Sequence, residues 1–147
     1  MGRPAEALEP RLLVAEAPVA VPGVPRGLLF AMRPRQWVKN LFVLAGVVFA
    51  GKVAEPHAVL QALVAFLAFC AASSAAYLVN DVRDAASDRL HPLKRNRPIA
   101  SGAVAPSLAL ATSATLAAVS LGAASVLGWR VLVAVAGFLS LQAAYTP

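Results

Sequence analysis

Apolar residues fall into four long stretches, and most charged residues gather between or before them. The first expected span covers residues 38–54, the second 58–79, the third 106–127 and the fourth 130–147. A bilayer core requires roughly 20 apolar residues of helix, which the second and third spans supply. The first has only "LFVLAGVVFAG" as an uninterrupted run, so it is expected to recruit the stem of Lys39 and the ring of Trp37 at the interface. The third contains "ALATSATLAAVSLGAAS". Small side chains let helix backbones approach closely in lipid, which predicts a helix buried in a bundle. The pattern predicts an all-α, multi-span transmembrane helical bundle.

The intervals complete the outline. Residues 1–25 carry Pro4, Pro10, Pro18, Pro22 and Pro25 among Glu6, Glu9 and Glu16, which reads as a disordered tail and not as a secretory signal. An amphipathic lead-in, "GLLFAM", reaches Pro34, which can open a helix without losing a needed hydrogen bond. Lys52, Glu55, Pro56 and His57 make a polar turn between the first two spans. Residues 80–105 are expected to form a loop carrying a polar motif, and residues 26–147 to form one membrane domain.

Composition narrows the class. Of 147 residues, 59% are hydrophobic, and the mean hydropathy is +0.70, too apolar for an ordinary soluble domain. The net charge of +6 raises nucleic acid as a partner, but the basic residues border apolar spans, where positive charge marks the cytoplasmic side. No nucleic-acid partner is expected. Arg33, Arg35, Lys39, Arg83, Arg89, Lys94, Arg95 and Arg97 share one side, and Lys52 and Arg130 the other. The N-terminus and the motif loop are therefore expected in the cytoplasm, on an integral protein of the cell membrane. Cys70 has no partner for an internal disulfide, and His57 and His91 lack zinc-ligand spacing.

The chemistry lies in "NDVRDAASDRLHPLKRNRPIASG", residues 80–102. Asp81, Asp84 and Asp88 are spaced i, i+3, i+7, and Asn80 joins them at i+4 and i+8. If the second span continues as a helix, all four fall on roughly one face. Neighbouring carboxylates would then repel, their Cβ atoms lying about 5–6 Å apart. A solvated loop pairing these acids with Arg83 and Arg89 is one reading, and a simple helix end is another. Neither explains the regular spacing. A divalent cation does, because Mg²⁺ takes oxygen ligands and is usually held by one or two carboxylates with substrate phosphates. Lys94, Arg95 and Arg97 would neutralise the remaining phosphate charge.

"NDVRDAASD" resembles the N-D-x-x-D-x-x-x-D motif of the UbiA superfamily of intramembrane prenyltransferases, and "KRNRPIASG" resembles its K-x-x-R-P continuation. "RPRQWVKN" at 33–40 and "HPLKRNRPIASG" at 91–102 look like the decaprenyl-phosphate phosphoribosyltransferase branch. The resemblance implies a helical bundle around a cavity open to cytoplasm and lipid, with two acidic motifs on pseudo-symmetric halves. The chain is then expected to be the N-terminal half, inactive alone, with the second motif beyond Pro147. It further implies transfer of 5-phosphoribose from phosphoribosyl pyrophosphate to a polyprenyl phosphate, for cell-wall precursor synthesis. In that reading Asp81, Asp84 and Asp88 are catalytic and hold Mg²⁺. Arg33, Lys39, Asn80, Lys94 and Arg97 bind substrate.

Plainer roles compete at several positions. Arg35 reads as a positive anchor, Trp37 as an interfacial belt residue, Arg95 as a head-group contact and Tyr77 as packing. Two other functions stay open: prenyl transfer from a polyprenyl diphosphate to an aromatic acceptor such as 4-hydroxybenzoate, and an inactive fragment or small non-enzymatic membrane protein.

Overall fold

The computed structural model describes residues 23–145, all of whose regular structure is helical. The expected tail at 1–25 lies mostly outside the described residues. Its last part is not tail: helix α1 runs Val24–Ala31, with Pro25 in its first turn, where the missing N–H costs nothing. A 3₁₀ helix, Pro34–Leu41, leads directly into α2, Phe42–Phe49. Then follow α3, Pro56–Leu90, α4, Pro106–Leu127, and α5, Trp129–Tyr145.

Two boundaries differ from expectation for physical reasons. The first span stops at Phe49 and not at residue 54, because Gly51 takes a left-handed conformation (φ 68°) and turns the chain before Lys52. A 3₁₀ helix climbs about 2 Å per residue against 1.5 Å for an α-helix, so Pro34–Phe49 rises about 28 Å in total. This offsets the shortness of its apolar run. The second correction concerns residues 80–105, expected as a loop: α3 continues to Leu90. No Gly or Pro interrupts the chain before Pro92, and Ala85 stays buried along this extension. At 35 residues, α3 is about 52 Å long, against about 30 Å of bilayer hydrocarbon.

The helices α3 and α4 are each long and apolar enough to cross a membrane. Their packing rests on the small residues of α4. Ser113 donates to the Ala75 carbonyl and Ser120 to the Ala68 carbonyl, each at 2.8 Å and each buried. Moving from 113 to 120 on α4 moves from 75 back to 68 on α3, so the two helices run antiparallel in fixed register. Gly128 (φ 114°) turns the chain from α4 directly into α5. There Val135 packs on Ala72 and Ala124, and Phe138 meets Phe69 edge to face at 5.9 Å. At the opposite end, Ile99 and Val104 insert among Ala31, Leu78, Ala85 and Ala109. The segment after α3 is thereby anchored to the bundle, and Arg89 donates to the Ala100 carbonyl at 3.1 Å.

Candidate active site

The site is built where the end of α1 meets the extension of α3. Helix α1 closes with Arg33 in the left-handed region, φ 54° and ψ 57°, the one positive-φ residue other than glycine among the described residues. Helix ends of this form usually place Gly here, since a Cβ makes the conformation costly by about 1 kcal/mol or more. Arg33 N–H caps the Phe30 carbonyl at 3.1 Å, but Pro34 has no N–H to continue the capping pattern. What compensates lies on α3. Ser74 donates to the Met32 carbonyl at 3.0 Å and accepts from the Trp37 indole N–H at 3.0 Å. Asn40 donates to Ser73 at 3.3 Å and to the Cys70 sulfur at 3.4 Å. Arg33, Trp37 and Asn40 thus dock in order down α3, onto Asp81, Ser74 and Ser73–Cys70.

The Arg33 guanidinium donates to Asp81 at 2.5 Å and stacks on the Tyr77 ring, 4.7 Å from its centroid. Tyr77 and Asp81 stand one turn apart on α3 and so share a face. Arg97 reaches the same face from the loop, 2.7 Å from Asp88 and 3.4 Å from Asp81. Lys94 stands 3.9 Å from Asp88. Both carboxylates are buried, at 3% and 2% exposure, whereas Lys94 is 47% exposed at its side chain. Two carboxylates thus face three cations, a positive surplus beside a cavity of about 290 Å³. Arg33, Asp81, Asn96 and Arg97 contribute its polar lining. Such a surplus attracts anions, and Arg is the side chain best shaped for two-pronged contact with phosphate.

Not every expected site residue joins this cluster. Asp84 is exposed, although it shares the arc of α3 that carries Asp81 and Asp88. Asn80 lines a separate groove with Ser113 and Gln142, between α3, α4 and α5. Lys39 is exposed and borders an outward groove with Val38 and Phe42. The three aspartates expected to act as one ligand set do not converge. Among the described residues no three His, Cys, Asp or Glu side chains stand close enough to hold a metal ion. The physical reason is that Asp81 and Asp88 turn toward arginines that only the tertiary fold supplies. Conversely, Ser74, Trp37, Asn40 and Arg89 hold the site together, although the acidic motif assigns none of them to it. Asn40 and the Ser73–Ser74 pair were visible as polar interruptions of apolar spans.

Fold and site define an integral membrane helical bundle with a buried, cation-rich ion cluster near one end of its longest helix. Residues 40–147 match the model of the UbiA prenyltransferase family. The chain belongs to that family. It is 45% identical over 98 residues to a decaprenyl-phosphate phosphoribosyltransferase of Corynebacterium glutamicum, covering 65% of this chain and 30% of that protein. Proteins of the same name from Mycolicibacterium smegmatis and Mycobacterium tuberculosis are 42% and 44% identical over 123 residues, each covering 81% of this chain. The chain spans 39% and 41% of those two proteins, about two fifths of their length.

Proposed function

We propose that this chain forms the donor-binding part of a Mg²⁺-dependent transferase. The enzyme moves 5-phosphoribose from phosphoribosyl pyrophosphate to a polyprenyl phosphate such as decaprenyl phosphate, in cell-wall precursor synthesis. The observation that carries this reading is the 42–45% identity to proteins named for that transfer. The cation surplus at Arg33, Lys94 and Arg97 supports it, because a donor with a 5-phosphate and a pyrophosphate calls for several charge-assisted contacts.

The donor set fits Mg²⁺ as a site of two carboxylates completed by substrate phosphates. Asp84 and Asp88, one turn apart on α3, would hold it, Asp88 through the oxygen that Arg97 leaves to the loosely placed Lys94, while Asp81 stays committed to Arg33 and Arg97. When bound, the ion supplies stabilisation of negative charge on the departing pyrophosphate. Lys94, only loosely paired and half exposed, turns to a donor phosphate. Arg97 uses N–H groups beyond those facing Asp81 and Asp88. Arg33, fixed by Asp81 and Tyr77, presents its remaining donors to the cavity. Asn80, one turn before Asp84 on α3, would orient that carboxylate. Lys39 serves as an interfacial anchor outside the site. The acceptor phosphate is already an anion, so no strong general base is required. The placement of Lys and Arg supports a cytoplasmic position for the N-terminus and the motif.

The test uses membranes from cells expressing the native locus, supplied with polyprenyl phosphate, Mg²⁺ and ribose-labelled phosphoribosyl pyrophosphate. A labelled lipid, lost in Arg97→Ala, is the expected result. Membranes that ignore the sugar donor and join a polyprenyl diphosphate to 4-hydroxybenzoate would overturn it.

A further inference from the structure

Arg33 holds a backbone conformation that its own side chain disfavours, and the residues that enforce it lie on another helix. Ser74 is fully buried, and its hydroxyl is used twice. It donates to the carbonyl of Met32, immediately before Arg33, and accepts the indole N–H of Trp37, four residues after. One and two turns further along the same face of α3 stand Tyr77 and Asp81, which receive the Arg33 guanidinium. The backbone on both sides of Arg33 and the tip of its side chain are therefore referred to one rigid helix. A glycine would satisfy the left-handed turn with less strain. The arginine is explained by what its guanidinium does at the cavity edge.

We infer that Ser74, assisted by Trp37, is a positioning residue: it sets the left-handed turn at Arg33 and so aims the guanidinium at the anion-binding cavity. The inference deepens the proposed reading and rests on that cavity receiving a pyrophosphate group. Removing the hydroxyl frees the Met32 carbonyl and the Trp37 indole together. The turn then relaxes toward the extended backbone that a residue before proline prefers, and the guanidinium leaves the cavity edge.

The experiment measures equilibrium binding of inorganic pyrophosphate with Mg²⁺ to the full-length membrane protein in nanodiscs. Ser74→Ala is expected to weaken binding about tenfold, as is Arg33→Ala, since a hydrogen bond to a charged group is worth at least that factor. The double variant should bind no more weakly than Arg33→Ala alone, because Ser74 acts through Arg33. Trp37→Phe, which removes one N–H and keeps the ring, should fall between wild type and Ser74→Ala, and it serves if Ser74→Ala does not fold. Two outcomes overturn the inference: wild-type binding in both Ser74→Ala and Trp37→Phe, or losses that multiply in the double variant. A wild type that shows the coupling yet transfers no phosphoribose overturns the proposed reaction and leaves the positioning role standing. A wild type that binds no pyrophosphate overturns both.

Discussion

Arg33 and Asp81 lie 48 positions apart in sequence and meet at 2.5 Å. The carboxylate is 3% exposed, the arginine side chain 32%. Asp81→Ala therefore leaves Arg33 and Arg97 facing each other without the charge that separates them. Breaking a fully buried pair costs about 3–5 kcal/mol, and the partial exposure of both arginines reduces this to about 1–3 kcal/mol. The expected outcome is a thermal transition lowered by several degrees in nanodiscs. An unchanged transition contradicts the pair's structural role.

Asp84 should behave in the opposite way. It is exposed, so Asp84→Asn should change stability by less than about 0.5 kcal/mol, as most surface substitutions do. Turnover should nonetheless be lost, because this carboxylate is assigned to the metal. Thermal unfolding and transfer assays on the same preparation separate the two effects. Near-normal turnover would return Asp84 to an ordinary solvated acid.

These contrasts mark how far the sequence reaches. The spacing of Asn80, Asp81, Asp84 and Asp88 places them on one broad arc of a helix, and that arc exists because α3 runs to Leu90. Periodicity cannot say which part of the arc is covered. Asp81 and Asp88 are buried where Arg33, 48 positions before Asp81, and Arg97, from the loop that follows α3, close over them, while Asp84 stays outside. Ile99 and Val104 sat in a stretch read as loop, yet both are fully buried and dock it to the bundle. Trp37, read as an interfacial ring, donates to Ser74. In each case a tertiary partner decided the role.

The antiparallel register of α3 and α4 gives a packing prediction. Ser120 is fully buried against the Ala68 carbonyl. Ser120→Ala removes one interhelical hydrogen bond, worth about 0.6 kcal/mol on average in membrane bundles. Ser120→Leu forces several carbons into the same space and should cost about 1–3 kcal/mol or more. Unfolding in mixed micelles checks the order. Equal effects would mean that the helices are not in close contact there.

Sidedness follows from the lysine and arginine asymmetry. Ser87 is exposed on the extension of α3, and the native Cys70 is buried. A Ser87→Cys variant should react with a membrane-impermeant maleimide only after the cytoplasmic face is opened. Labelling in intact cells would reverse the topology.

The central claim is that the cation-rich cluster serves a sugar pyrophosphate and not a prenyl one. The most direct measurement follows both halves of the donor in one reaction. Phosphoribosyl pyrophosphate labelled separately in its ribose and in the terminal phosphorus of its pyrophosphate is offered with polyprenyl phosphate and Mg²⁺ to membranes expressing the native locus. The account predicts ribose label in the lipid and phosphorus label in released pyrophosphate, in equal amounts, with both lost in Asp84→Asn. If neither label moves, and an unlabelled polyprenyl diphosphate instead yields pyrophosphate in the presence of an aromatic acceptor, the account is contradicted.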